Sequence, residues 1–228
     1  MKYSEKYSGK KYIKYAKIKS VLSDFVDLKK SKLLDIGCGN GVITEQLSNS
    51  FKESYGVDVY DRRLASKGYN FFLVNNESLP FKDKYFDVVI SNQVIEHVNN
   101  QDEHVKEIFR VLNDKGVCYI ATPNKYWPIE PHYYLPFLGI LPKGIANFYL
   151  TFFIGEKYDV NLLSYNGLKN KLSYYFEIID FTFVILKYPH KYNLEKRLRI
   201  IPSFLVNKFT WGVIKYVVPS FVFVLKKK

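Results

Sequence analysis

The sequence predicts an α/β fold in which helices cover both faces of a doubly wound, mostly parallel sheet of seven strands. Short apolar segments alternate with segments of helical periodicity, and one apolar strand leads directly into a glycine-rich turn. Short strands that are apolar throughout are typical of parallel sheets buried on both faces. With 228 residues, 47% of them hydrophobic and 25% charged, we expect one ordered domain over residues 1–228.

The elements follow from the apolar pattern. Ile18, Val21, Leu22 and Phe25 recur at helical spacing, which predicts an N-terminal helix over residues 12–28. Short apolar runs predict strands at 32–37, 54–59, 71–74, 86–91, 116–121, 176–187 and 220–225, the last as an edge strand. Further helices are predicted at 42–51, 102–112 and 163–174.

Residues 125–159 interrupt this alternation. They are rich in aromatic residues, proline and glycine, and we interpret them as an insertion after the fifth strand, over the carboxyl edge of the sheet. Within it, residues 135–155 are apolar apart from Lys143, but two prolines and a glycine break the run. The run barely reaches the roughly 20 helical residues that a bilayer requires. We therefore expect a covered or surface-lying segment. The N-terminus does not resemble a secretory signal.

Positive charge is concentrated near the C-terminus. The formal net charge is +12, and residues 187–228 hold ten Lys or Arg and one Glu. This basic segment predicts contact with an anionic partner, such as lipid head groups, nucleic acid or a phosphorylated substrate, or else a solvated surface. Cys38 and Cys118 follow no disulfide or metal spacing, which indicates free thiols in a reducing compartment. We expect a cytoplasmic protein, associated with the membrane periphery if the basic segment binds lipid.

The sequence LLDIGCGNG at residues 33–41 is the strongest motif. A strand, a turn with three alternate glycines and a helix follow one another, so the backbone can approach a ligand at the carboxyl ends of the strands. A dinucleotide site of the G-x-G-x-x-G type would need glycine at position 42, which is Val42. Asp35 would repel a pyrophosphate but suits a ligand that carries an ammonium group. These features favour S-adenosylmethionine (SAM) over NAD.

Residues 35–41 resemble motif I of the class I SAM-dependent methyltransferases. Three further stretches are similar to that family in order and spacing: GVD at 56–58, NNESLPF at 75–81 and FDVVISNQVIEH at 86–97. The resemblance covers about residues 30–124 and points to the methyltransferase type 11-like branch. It implies a Rossmann-like fold, methyltransferase activity and SAM as the cofactor. The segment WPIEPH at 127–132 is similar to methyltransferases of glycan or lipid-linked pathways.

The resemblance also assigns cofactor contacts to residues of these motifs. Asp58 is expected to hold both ribose hydroxyls, and Asn75 stands where the family often has an aspartate that accepts from the adenine amino group. Asn92 and Gln93 are expected to line the methionine end. Each of these residues has an alternative role as an ordinary turn or loop residue. The predicted set is Asp35, Gly37, Cys38, Gly39, Asn40, Asp58, Val59, Asn75, Asn76, Glu77, Asn92 and Gln93.

Candidate catalytic residues follow from the chemistry of the transfer. A hydroxyl acceptor must lose its proton, so a general base is needed, and His97 lies just past the fourth strand. Glu130 and His132, between prolines of the insertion, form a second candidate pair. All three have structural alternatives in packing or in anchoring the insertion. The four histidines show no ligand spacing, so the sequence predicts no metal site.

The aromatic insertion predicts a lid or a pocket for the methyl acceptor. We expect an acceptor of the small-molecule, lipid or lipid-linked glycan type, methylated at oxygen, with an anionic membrane surface as a candidate partner. One alternative is an RNA methyltransferase that uses the basic segment 187–228, although no RNA-binding motif is present. Another is a SAM-binding protein without catalysis.

Overall fold

A computed structural model describes residues 2–194 and 201–228, with side chains from Ile13 onward. Its core is a seven-stranded sheet in the order β3-β2-β1-β4-β5-β7-β6. The strands are β1 (Lys32–Ile36), β2 (Glu53–Asp58), β3 (Asn70–Leu73), β4 (Phe86–Asn92), β5 (Leu112–Pro123), β6 (Phe176–Asp180) and β7 (Ser220–Lys227). β1 to β5 pair in parallel, and β7 is antiparallel to β5 and β6. The predicted fold class is confirmed.

Helices flank the sheet. They are α1 (Lys2–Ser23), α2 (Val42–Ser48), α3 (Gln101–Val111), α4 (Lys143–Ile154), α5 (Tyr165–Ser173), α6 (Phe181–Lys187) and α7 (Lys208–Ile214). Two of them connect parallel strands: α2 joins β1 to β2, and α3 joins β4 to β5. α3 begins where it does because the Asn100 side chain accepts hydrogen bonds from the first-turn N–H groups of Asp102 and Glu103. α1 ends before the predicted boundary at residue 28, and a 3₁₀ turn follows at Leu28–Lys30.

The central strands carry the core. Phe86, Tyr119, Phe221 and Phe223 are among the largest fully buried side chains. Each of them contributes about 1.5–3 kcal/mol relative to an exposed position. Because the core encloses the middle of the sheet, the carboxyl ends of β1, β2 and β4 form a rigid edge on which a site can be built.

The predicted strand at 176–187 is wrong in its second half. β6 stops at Asp180, and residues 181–187 form α6. The Asp180 side chain caps this helix by accepting from the N–H of Thr182 at 3.1 Å. Phe181 and Ile185 are buried one helical turn apart, so the apolar run reflects a helix packed on the core.

The last strand is not an edge strand. β7 lies between β5 and β6 and forms hydrogen-bonded ladders with both. Its apolar residues 221–225 are all buried, as expected for a strand covered on both faces. β3 and β6 form the edges of the sheet.

The insertion at 125–159 forms its own small cluster. α4 packs Ala146 and Leu150 against Leu138, Tyr158 and Val160, apart from the main core. Among the described residues, no helix has both the length and the apolar character needed to cross a membrane. Within the basic segment 187–228, residues 195–200 lie outside the described residues.

Candidate active site

The glycine turn joins β1 to α2 and is open on one side only. A Cβ placed on Gly39 would meet no atom within 4 Å, whereas one on Gly41 would lie 2.1 Å from the carbonyl oxygen of Ala65. Both glycines have left-handed backbone angles, with φ of +58° and +76°. Gly41 is therefore required by packing, and Gly39 faces free space at the carboxyl edge of the sheet.

Asp58 lies at the end of β2 beside this free space. Its Oδ2 accepts a hydrogen bond from the N–H of Gly39 at 2.7 Å, and its Oδ1 accepts from the N–H of Tyr60 at 3.2 Å. The neighbouring Val59 is half exposed. A half-buried carboxylate next to an exposed aliphatic side chain suits a ribose with an attached base, as the sequence predicts.

Asp35 lies deeper than Asp58. It is 5% exposed, and the hydroxyl of Thr44 donates to its Oδ2 at 2.5 Å. Burial raises the pKa of Asp35 to about 7, with a further upward contribution from the charge of Asp58 and an opposing one from Thr44. A cationic group nearby would favour the ionised form, which agrees with the predicted ammonium of SAM.

Cys38 and Asn40 shape the turn. The Cys38 side chain is buried, and burial raises the pKa of its thiol above the ordinary range. The carbonyl oxygen of Asn40 accepts from the N–H groups of Leu64 and Ala65 at 2.9 and 3.2 Å. Both residues thus contribute at least to the conformation of the turn, and their contact with SAM stays a prediction.

Of the three polar residues predicted near the adenine, two have local partners. The Asn76 side chain accepts from the N–H of Ser78 at 2.9 Å, and Glu77 accepts from the N–H of Asn100 at 2.9 Å. The latter bond holds the pKa of Glu77 below its usual value. Asn75 is exposed, and its contact with the adenine amino group stays a prediction.

Arg110 holds the segment 75–81 in place. No role was predicted for it. Its guanidinium donates to the carbonyl oxygens of Leu79 and Phe81 at 2.9 and 2.7 Å. It also pairs with Glu107 at 2.7 Å, and Glu107 in turn accepts from the N–H of Leu79 at 2.8 Å. The available signal was the placement of Glu107 and Arg110 three residues apart on α3.

The end of β4 has a strained backbone. Asn92 is half buried, and Gln93 has a φ of +62°, unusual for a residue with a side chain. Such a conformation costs about 1–2 kcal/mol, and the bond from its N–H to the carbonyl oxygen of Ala121 at 2.8 Å helps to hold it. Strain of this kind is concentrated at functional sites.

The fold brings together the three predicted catalytic residues. The rings of His97 and His132 meet edge to face, with centroids 4.8 Å apart. Glu130 is buried, and its Oε1 lies 2.6 Å from Nδ1 of His132. Its Oε2 accepts from the N–H groups of His132 and Tyr133, each at 2.8 Å. Glu130 therefore both anchors the insertion and orients His132.

The electrostatics of this cluster differ between the two imidazoles. Burial and the neighbouring His132 lower the pKa of His97. For His132, burial acts downward, but the hydrogen bond and the charge of Glu130 raise its pKa overall. Glu96, which the prediction did not include, is fully buried beside them, and burial raises its pKa to about 6. A neutral His97 is thus available to accept a proton.

A doubly wound fold, a glycine turn facing open space and an aspartate at the end of β2 are the features that the resemblance to class I SAM-dependent methyltransferases predicts. The comparison of sequences agrees, because residues 34–120 match the family described as "Methyltransferase domain". The space beside Gly39, flanked by Asp58 and Val59, fits SAM. SAM supplies an activated methyl group when bound.

Curated relatives carry a more particular name. The chain is 33% identical over 126 residues to a ubiquinone biosynthesis O-methyltransferase of Pelagibacter ubique, covering 50% of this chain and 52% of the relative. It is 29% identical over 160 residues to the mitochondrial enzyme of that name from Rattus norvegicus, covering 60% and 44%. The chain thus spans about half the length of the curated relatives it matches.

Solved structures show the same fold at low identity. A SAM-dependent methyltransferase from Mesorhizobium loti has a TM-score of 0.61 at 9% identity, covering 93% of this chain and 98% of that one. The cyclase SpnF has a TM-score of 0.56 at 16% identity, covering 93% and 81%. Because a protein named as a cyclase shares the fold, these likenesses establish the fold and leave the acceptor open.

Proposed function

We propose that the protein transfers the methyl group of SAM to a hydroxyl oxygen of a partly apolar, lipid-type acceptor that it reaches at an anionic membrane surface. Transfer is an in-line displacement at the methyl carbon, so the protein must align the acceptor oxygen with the S–CH₃ bond. The cluster of His97, His132 and Glu130 is the candidate for activating the acceptor hydroxyl. The relatives named as O-methyltransferases support oxygen as the acceptor atom.

One observation carries the choice of acceptor. α4 turns an apolar face to solvent, on which Ile145, Phe148, Phe152 and Phe153 are 55%, 74%, 72% and 61% exposed. These positions recur at helical spacing, while Ala146 and Leu150 on the opposite face are buried. A continuous exposed apolar face of this kind is typical of a helix that lies in a membrane interface.

The basic segment supports an anionic membrane as the partner. Lys143 at the start of α4 and Lys157 just beyond its end are exposed, but Glu156 and Asp159 are exposed too and offset their charge. The net positive charge therefore comes from the basic segment 187–228. The basic segment adds exposed apolar side chains at Phe204 and Phe209, 79% and 93% exposed, together with Lys208. Interfacial helices bind anionic bilayers by combining apolar burial with such cations.

Vesicle binding and label transfer test the proposal. The wild-type chain is expected to co-sediment with vesicles of phosphatidylcholine and phosphatidylglycerol, and the pair F148S/F152S is expected to lower the partition constant at least about tenfold. Each buried aromatic ring contributes about 1.5–3 kcal/mol. Tyr174→Ser is the matched control, since Tyr174 directly follows α5 and is 78% exposed. With [methyl-³H]SAM, label is expected in the lipid fraction of a cell extract.

Contrary outcomes are clear. If the wild-type chain does not bind these vesicles, or if F148S/F152S binds as tightly as Tyr174→Ser, the membrane surface is wrong. If label enters RNA and a salt-sensitive RNA complex forms, the acceptor is nucleic acid and the basic segment serves that role. If SAM binds but no fraction of the extract accepts label, the chain is a SAM-binding protein.

A further inference from the structure

Three potential metal ligands meet where the chain leaves β4. Glu96 and His97 follow β4, and His132 comes from the insertion. One ligand atom from each of the three lies within 4.8 Å of the other two. The sequence indicated no metal because the third ligand is distant along the chain, so only the fold assembles the cluster.

Glu96 has an unused carboxylate oxygen. Its side chain is fully buried, and Thr122 donates to Oε2 at 2.9 Å. The other oxygen, Oε1, is also buried, and it has no hydrogen-bond partner among the described residues. A buried acceptor without a partner costs about 1–3 kcal/mol, and in native structures such a group often marks a missing ion or ligand.

His132 is prepared to act as a ligand. Glu130 Oε1 lies 2.6 Å from Nδ1. Because an ionised carboxylate only accepts, the neutral ring of His132 carries its proton on Nδ1 and keeps the lone pair of Nε2 for a metal. Metal-binding histidines commonly donate their other N–H to a carboxylate in this way, which fixes the ring and increases its basicity. Glu130 thus stands where a metal site places a supporting carboxylate.

We infer that Glu96, His97 and His132 bind one divalent transition-metal cation, with Zn²⁺ as the best fit, and that this cation holds the acceptor hydroxyl. Two imidazoles and one carboxylate suit zinc better than magnesium or calcium. Three protein ligands leave a position open for substrate oxygen, as in catalytic zinc sites. Donor atoms in a tetrahedral zinc site lie about 3.4 Å apart. The three ligand atoms lie within 4.8 Å of one another, so cation binding must draw them together by up to about 1.4 Å.

The cation's role rests on the proposed O-methylation. A hydroxyl bound to the cation loses its proton to water at a lower pH than a free hydroxyl does. The acceptor oxygen then forms a bond to the methyl carbon while the S–CH₃ bond breaks, and its electron pair stays on sulfur. The products are the methyl ether, S-adenosylhomocysteine and one proton, so atoms and charge balance.

Zinc titration of chelator-treated full-length protein tests the site. We expect calorimetry and metal analysis to show one Zn²⁺ per chain, and Co²⁺ in its place to give the visible absorption of a four- or five-coordinate site. Glu96→Gln and His97→Gln are each expected to weaken zinc binding at least about 100-fold. His190→Gln changes an exposed histidine outside the cluster and is expected to leave binding unchanged. Thermal unfolding confirms that each variant is folded.

Two results would overturn the inference: no stoichiometric zinc on the wild-type protein, or equal binding by Glu96→Gln, His97→Gln and the wild type. A SAM titration of the same samples separates this failure from that of the proposed function. If SAM binds and label enters lipid without zinc, the metal site fails alone. If zinc binds stoichiometrically but no hydroxyl acceptor is labelled, the proposed function fails and the cation site stands.

Discussion

Replacing Gly39 by alanine tests whether the open side of the turn is the ligand site. The new methyl group meets no atom within 4 Å, so the fold loses only the preference of glycine for a φ of +58°. That cost is about 1–2 kcal/mol. At about 2–4 °C per kcal/mol for a chain of this size, the Tm is expected to fall by about 2–8 °C. The methyl group occupies the space proposed for SAM, so SAM affinity is expected to fall at least about tenfold, or 1.4 kcal/mol.

Gly41→Ala provides the contrast within the same turn. Its Cβ would lie 2.1 Å from the Ala65 carbonyl oxygen and 2.2 Å from the Tyr69 hydroxyl. Relieving such contacts costs roughly a further 1–3 kcal/mol or more. Gly41→Ala is therefore expected to lower the Tm more than Gly39→Ala does. Calorimetric unfolding measures the Tm, and titration with SAM and S-adenosylhomocysteine measures binding. The open side of the turn is not the SAM site if Gly39→Ala binds SAM like the wild type, and Gly39 does not face free space if Gly39→Ala lowers the Tm as much as Gly41→Ala.

Two further substitutions test the electrostatics and the support of the site. Asp35 has a pKa of about 7 in the folded protein against 3.8 ordinarily, so its ionised form costs stability progressively as pH rises from about 4 through 7. Asp35→Asn is therefore expected to change stability little at pH 4. At pH 8 it is expected to stabilise the ligand-free protein by up to about 4 kcal/mol. Equal effects on urea unfolding at both pH values would contradict this. Arg110→Ala leaves the buried Glu107 without its cation and frees two carbonyl groups, so we expect a loss of about 3–5 kcal/mol and weaker SAM binding. Lys106→Ala, in an exposed pair on the same helix, is its control and should change unfolding by less than about 1 kcal/mol.

The glycine turn at 33–41 and Asp58 could be placed at the carboxyl edge of the sheet, because each lies at the end of an apolar strand in the sequence. Their contacts with SAM stay predictions. The error at 176–187 arose because a short apolar run fits either a buried strand or a buried helix. Asp180 was the available signal, since an aspartate before such a run is a typical helix cap.

The position of β7 and the acceptor side depend on contacts between distant parts of the chain. No short stretch of sequence predicts that β7 lies between β5 and β6, because strand order is a property of the whole sheet. Glu96 follows β4 and His132 lies in the insertion. Their proximity follows only from how the insertion folds back. Periodicity and motif spacing carry no information about such a contact.

A few hydrogen bonds after β4 connect the insertion to the loop that follows this strand. The N–H of Asn161 donates to the carbonyl oxygen of Glu96 at 2.8 Å. The Gln101 side chain donates to the carbonyl oxygens of Ile95 and Asn161 at 3.0 and 2.9 Å. These bonds fasten the chain that leaves the insertion to the loop that carries Glu96 and His97. Substitutions of the exposed side chains of α4 are therefore expected to leave the contacts at Glu96 intact, because none of these side chains takes part in them.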